Sequence, residues 1–222
     1  MLLTLAAIWG ASYLFIKVAV DDGIEPAPLM AVRLLGAATL LAAYLVRRLG
    51  ARRAVSELRG AWRPVLVLGV VNAALPFWLI AWGEQHIDSS VAAVAQATVP
   101  IFVLLLGLRF LPQDRVGPAR LVGVALGIVG VALLAGFNPI GGAAAVVGTL
   151  AIVLSSISYA VGNVYGYKRV RSVSGPVLAT GSMLVGGLIL LPLAVFQLPD
   201  GVPSAKAIGS IAALTVAGTA MA

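Results

Sequence analysis

Eight apolar runs follow one another along this chain, at roughly 2–20, 27–46, 64–82, 90–108, 118–137, 145–165, 176–198 and 205–222. Each is close to the twenty or so residues an α-helix needs to cross the hydrocarbon of a bilayer. Inside that hydrocarbon every backbone N–H and C=O must find a partner within the protein, which leaves helices or closed barrels. Runs this long and this uniformly apolar fit helices rather than barrel strands. The connections are short, so the expected fold is an all-α, polytopic membrane helix bundle without a soluble domain. The composition agrees: 61% of the 222 residues are hydrophobic and 10% charged, against about 25% charged in a soluble domain. The first run reads as a span and not a signal peptide, because it lacks a basic leader and Val18-Ala19-Val20 is a poor cleavage site.

The net charge of +7 would by itself suggest a nucleic-acid partner, but its distribution points to membrane insertion. Arg47, Arg48, Arg52, Arg53, Arg59, Arg63, Arg109, Arg115, Arg120, Lys168, Arg169 and Arg171 all fall in connections on one side of the bundle. Asp21, Asp22, Glu25, Glu84, Asp88 and Asp200 fall on the other, with Lys206 the one basic exception. The positive-inside rule then places the N-terminus and the basic connections in the cytoplasm, with the chain multi-pass in the cytoplasmic membrane. No nucleic-acid partner is needed to explain the charge.

Within the first run, Trp9, Ser12, Tyr13 and Lys17 stand at i, i+3, i+4 and i+8 and share an arc of roughly 140° on one helix face. A lipid-facing helix gains nothing from such a stripe, so it should face protein or a water-filled cavity. Ser155, Ser158, Tyr159 and Asn163 repeat the pattern 146 positions later, again inside an apolar run. The same stripe written twice suggests two related halves facing a common site.

Lys17 and Arg33 are basic residues inside runs. Lys17 lies near the end of its helix, where it can snorkel to the interface. Arg33 lies deeper and calls for a partner or a wet cavity, with Asp21, Asp22, Glu25 and Glu84 as candidate salt-bridge acids. The alternative is that both lend a cavity mouth a positive field favouring carboxylate or phosphate substrates. Asn72 and Gln96 are deep amides that either line a cavity or bond to a neighbouring helix. Trp78 lies one turn deeper than the interfacial Trp82. Pro76 and Pro100 interrupt their helices and free backbone carbonyls, as broken transporter helices do. No acid lies clearly within a run, so a proton-coupling group is hard to place.

Gly123, Gly127 and Gly130 form a small-residue face, read as close packing within the bundle, with homodimerisation the alternative. The chain has no cysteine, which excludes disulfides, thiolate metal sites and cysteine nucleophiles. His86 stands alone in a connection with no second ligand, so no metal and no cofactor is expected. A phosphate-cradling glycine loop and a Ser, His and acid constellation are both missing from the sequence, so neither an ATPase nor a hydrolase is indicated.

Trp9-Gly10-Ala11-Ser12-Tyr13 with Lys17, then Pro28 leading to Arg33, resembles the opening of EamA-like members of the drug/metabolite transporter superfamily. Ala74-Leu75-Pro76-Phe77, Ile87-Asp88-Ser89-Ser90, Pro100, Leu111-Pro112-Gln113-Asp114-Arg115 and the glycines from Gly117 to Gly130 continue the likeness in the family's order. The resemblance implies ten helices in two inverted five-helix repeats around a central cavity. The first repeat would occupy 1–137; 138–222 would be a second, incomplete repeat, giving about eight helices of the ten. The chain departs from the family where Asp114 stands in place of the usual Glu, and in having Ala179 at the position matching Arg33.

The resulting expectation is a secondary transporter moving small metabolites, such as amino acids, nucleosides or related amphiphiles, by alternating access, more in the direction of efflux. Its cavity would be lined by Trp9, Ser12, Tyr13, Asn72, Trp78, Gln96, Ser155, Ser158, Tyr159 and Asn163, with Lys17 and Arg33 at the mouth. Its partners are the lipid bilayer and a small-molecule substrate. A nucleotide-sugar or sugar-phosphate carrier and a non-transporting membrane scaffold are the alternatives.

Overall fold

The structure, a computed structural model, describes residues 2–111, 117, 119, 122–127, 129–130, 142–170, 172–199 and 201–221. Asp114, Arg115, Arg120, Arg171, Asp200, most of the fifth apolar run and the 137/138 repeat boundary lie outside the described residues. What is described is helical throughout: α1 (Leu2–Asp21), α2 (Pro26–Leu49), α3 (Ala51–Gly60), α4 (Trp62–Glu84), α5 (Ser89–Phe110), α6 (Gly142–Arg169), α7 (Gly175–Phe196) and α8 (Ala205–Ala220). Among these, α2, α4, α5, α6 and α7 are long and apolar enough to cross a membrane, and α8 is a shorter apolar helix. α1 adds twenty residues, about 30 Å of helix.

Prolines set several of the helix starts and breaks. Pro26 and Pro28 open α2, Pro176 opens α7 and Pro100 sits just after the break that divides α5 into Ser89–Gln96 and Val99–Phe110. At such first-turn positions the missing N–H would have had no intrahelical partner anyway. α3 forms from a stretch too polar to cross a bilayer. It is an amphipathic helix whose Ala54 packs with Leu45, Ala61, Val65 and Val177, while Arg52, Arg53 and Arg59 stay exposed.

The main core joins Ile16 and Ala19 of α1, Leu29, Met30 and Leu34 of α2, Ile80 of α4, Ile152 of α6, Leu190 of α7 and Leu214 of α8. The closest helix approaches run through single glycines. A Cβ on Gly83 would come within 2.9 Å of the Gly148 carbonyl, and one on Gly148 within 3.0 Å of the Gly83 carbonyl, so α4 and α6 cross backbone to backbone. On α7, Gly181, Gly186 and Gly187 admit Val65, Ala73 and Leu35 in the same way. Among the described residues, nothing lies within 4 Å of where a Cβ on Gly123 or Gly130, singled out in the sequence, would stand, and one on Gly127 meets only Ile101 at 3.8 Å.

Two of the helices contain a π turn. In α4 it covers Gly69–Ala74, and in α8 Val216–Ala220. Residues 70–74 shifted by 146 positions are 216–220, the same offset that relates the two polar stripes. Pro76 accounts for the first. The Leu75 N–H bonds to the Val70 carbonyl, five residues back, and the next π partner, for the Val71 carbonyl, would be the N–H that Pro76 lacks.

Candidate functional site

Ser158 of α6 supplies the missing donor, its Oγ donating to the Val71 carbonyl at 2.7 Å. One turn on, Gly162 leaves room for the Asn72 amide to lie directly against its α-carbon. On the other side of the bundle, Ser12 of α1 lies against the π turn of α8. Its Oγ is 2.9 Å from where a Cβ on Gly218 would stand, and it donates to the Ile8 carbonyl at 3.0 Å. The serines 146 residues apart thus each face the π turn that follows from the other half of the chain.

Arg33 sits between these two contacts. It is buried at 6% exposure. Its Nε donates to Thr219 Oγ1 at 2.9 Å, Nη2 reaches the Gly218 carbonyl at 3.5 Å, and the guanidinium lies 4.5 Å from the centre of the Phe77 ring. Phe77 in turn meets Tyr159 edge-on at 6.4 Å between centroids. Tyr13 and Tyr159, the two tyrosines of the repeated stripe, both lie within electrostatic reach of Arg33 and of each other. None of Asp21, Asp22 and Glu25 forms an ion pair with Arg33 among the described residues. The π turn of α8 and the ring of Phe77 take the place of the expected salt bridge.

Lys17 is tied down at the same end. Its Nζ bonds to Asp21 Oδ1 at 2.9 Å and to the Glu84 carbonyl at 3.0 Å, which places a cation on the C-terminal carbonyls of α4. Glu84 itself differs from the sequence reading. Placed there in a connection, it is the last residue of α4 and has no exposed surface. Neither carboxylate oxygen has a hydrogen-bond partner among the described residues.

The remaining expected residues divide. Ser155 Oγ is 2.8 Å from Gln96 Oε1 and 2.7 Å from the Ile152 carbonyl, and its one proton can serve either. Trp78 packs on the main core and stacks on Trp82; among the described residues its indole Nε1 is buried without a partner, as is Asn72 Oδ1. Trp9 is 53% exposed and stands away from the cluster. Asn163 is exposed and lines an open, largely apolar groove of about 560 Å³ with Pro100, Ile101, Gly123 and Gly127. The structure therefore brings together Ser12, Tyr13, Tyr159, Arg33 and Lys17. It adds Phe77, Glu84, Gly218 and Thr219, which the sequence reading did not select.

Residues 1–136 match the EamA-like transporter family. The chain is similar to an uncharacterized inner membrane transporter of Escherichia coli (strain K12), YedA, at 31% identity over 191 residues, covering 86% of this chain and 59% of that protein. It is also similar to an uncharacterized transporter of Archaeoglobus fulgidus, at 27% identity over 95% of this chain and 72% of that protein. The chain thus spans about three fifths of the length of YedA. A solved crystal structure of a protein 19% identical superimposes with a TM-score of 0.72, covering 98% of this chain and 73% of the other, and so shares the fold.

Proposed function

Because this chain belongs to the EamA-like transporter family, we propose that it forms the larger part of a secondary carrier that moves small polar or amphiphilic metabolites across the cytoplasmic membrane, mainly outward, without ATP. What carries the reading is that Tyr13 and Tyr159, 146 residues apart, pack on the same core as Phe77, whose ring meets Tyr159 edge-on and lies against one buried arginine. The matching offset of the two π turns supports a two-repeat organisation, 1–137 and 138–222, in which each half packs its first helix against the broken helix of the other. Inverted repeats of this kind place a substrate between them, with irregular backbone lining the site.

In this reading Arg33 provides a fixed positive charge for a carboxylate or other anionic group, and Tyr13, Phe77 and Tyr159 offer aromatic surface beside it. The cluster is closed in the structure, so access requires α1 and α6 to part from α8 and α4, as alternating access demands. A basic end carrying Arg47, Arg48, Arg52, Arg53 and Arg59 faces the cytoplasm.

The test is a growth-tolerance screen in a sensitive host that expresses the protein, against excess amino acids, nucleosides, sugar phosphates and toxic amphiphiles. Protection against one class, lost in both Tyr13→Ala and Tyr159→Ala at unchanged membrane levels, is the expected result. Protection that survives both substitutions would remove the tyrosine pair from the transport path. Protection against sugar phosphates alone would favour the phosphate-carrier alternative.

A further inference from the structure

Glu84 is the one buried carboxylate among the described residues, and it has no exposed surface and no hydrogen bond to either oxygen. The other acids near it are exposed, and two of them are occupied: Asp22 accepts the Ser204 N–H at 2.8 Å, and Glu25 accepts from Gln85 at 3.3 Å. An ionised carboxylate placed in such surroundings without donors is strongly disfavoured, and the cost falls away only when it holds a proton or meets a cation. A cation is within reach. Lys17 Nζ lies 3.0 Å from the backbone carbonyl of Glu84 itself and shares its charge with exposed Asp21. Arg33 is already committed to Thr219, Gly218 and Phe77.

We propose that Glu84 is a reversible proton-binding site, with Lys17 as its alternate counter-charge, and that it carries the coupling proton of the carrier. The coupling part rests on the transport reading given above; the proton-binding part does not. With the proton on, Glu84 is neutral and the Lys17 ammonium stays on Asp21. The carboxylate takes its proton from water at the acid-rich mouth; when the carboxyl O–H breaks in the cytoplasm-open state, the proton passes to water in the opened cavity and the electron pair stays on the Glu84 carboxylate. The Lys17 ammonium then moves from Asp21 to Glu84, so no uncompensated charge is left in the interior. The side chain that changes partner is on α1, at the end of the stripe that bears Ser12 and Tyr13, so proton loss is transmitted to the helix that flanks the arginine cluster.

The groups facing Glu84 are Tyr13, Lys17 and Asp21 from α1 and Arg33 from α2. Its own segment continues into Gln85, His86 and Asp88. His86 Nδ1 is within 2.9 Å of the Trp82 carbonyl and is thereby turned along the helix. At the crossing beside Gly83, α6 presents Gly148 and Ile152, neither of them titratable.

The experiment uses the purified chain in lipid vesicles and infrared difference spectra across pH steps, with no ligand added. The expected result is a carbonyl stretch of a protonated, buried carboxyl that is lost as pH rises. It should be missing in Glu84→Gln, retained in Asp21→Asn, and displaced in midpoint by Lys17→Met. Glu84→Asp, which keeps the acid, should retain a titrating band and serves if Glu84→Gln fails to fold by circular dichroism. No such band in the wild type, or a band that persists in folded Glu84→Gln, overturns the proposal. A band present here with no cargo found in the tolerance screen would sink the transport reading and leave the proton site standing. For a cargo that is found, Glu84→Gln should lose accumulation driven by a pH gradient and keep exchange across equal pH. Gradient-driven accumulation retained in that variant overturns the coupling role.

Discussion

Ser158 Oγ donates at 2.7 Å to the carbonyl of Val71, the carbonyl that Pro76 leaves without a backbone donor five residues on. A serine from one half of the chain thus completes the backbone of a broken helix in the other half. In lipid, where no water can take over, such a carbonyl has no cheap substitute.

Replacing Ser158 by Ala should therefore cost about 1–3 kcal/mol, the usual penalty for an orphaned buried acceptor. Replacing Pro76 by Ala restores an N–H at the position the π turn addresses, so the double variant should be more stable than the two single losses predict. Reversible unfolding in mixed micelles, run as a double-mutant cycle, measures this coupling. Additive losses would show that the proline and the serine are independent.

Glycine substitutions should separate the real crossings from the conspicuous motif. A methyl group at Gly148 would press within 2.9 Å of His86 Cβ and 3.0 Å of the Gly83 carbonyl, and the Gly83 backbone cannot give way cheaply. Gly148→Ala should lose about 1–3 kcal/mol through overpacking. Gly123→Ala, with nothing within 4 Å among the described residues, should be neutral or slightly stabilising because alanine is the better helix former. Thermal melts of the two variants in detergent give the comparison directly.

Those glycines also show where sequence reading stops. The long apolar runs, the repeated polar stripe and the helix-breaking prolines are local features, each with its own period or composition, and they make the helical bundle legible. Gly83 and Gly148 carry no motif; they matter because two helices meet there, which is a long-range fact. Glu84 stands two residues beyond the apolar run that ends at Trp82, so hydropathy placed it in a connection. Its burial comes from α1 and α6 closing over the last turn of α4. α3 was hidden for the opposite reason. Its arginines marked it as a connection, although Ala54, Leu58 and Ala61 at i, i+4 and i+7 carry a helical period that packs on Leu45 and Val65. Thr219 and Gly218 could not be chosen in advance, because nothing in their own neighbourhood indicates that Arg33 lies 2.9 Å from the Thr219 hydroxyl.

Arg33→Lys retains the charge and discards the geometry. A lysine ammonium cannot keep both the Thr219 hydrogen bond and the flat stack over Phe77. The loss should be about 1–3 kcal/mol from the bond and the ring contact together. Thr219→Val should remove most of the same interaction, so combining the two should add little. Unfolding in mixed micelles checks the stability, and the tolerance assay checks whether the charge alone supports transport. A full additive loss would place the arginine's principal partner elsewhere.

Orientation can be read from two exposed positions at opposite ends of the bundle. The chain has no cysteine, so single cysteines report without background. Ser56 is exposed on α3 among the arginines, and Gln85 is exposed beside Glu25 at the acidic end. In the proposed orientation the α3 end, with its excess of basic residues, lies on the cytoplasmic side. In intact cells a membrane-impermeant maleimide should label Gln85→Cys and leave Ser56→Cys unmodified until the cells are broken. Labelling of Ser56→Cys in intact cells, with Gln85→Cys protected, would invert the topology. It would also turn the Glu84 mouth toward the cytoplasm, reversing the side from which the proposed proton is taken up.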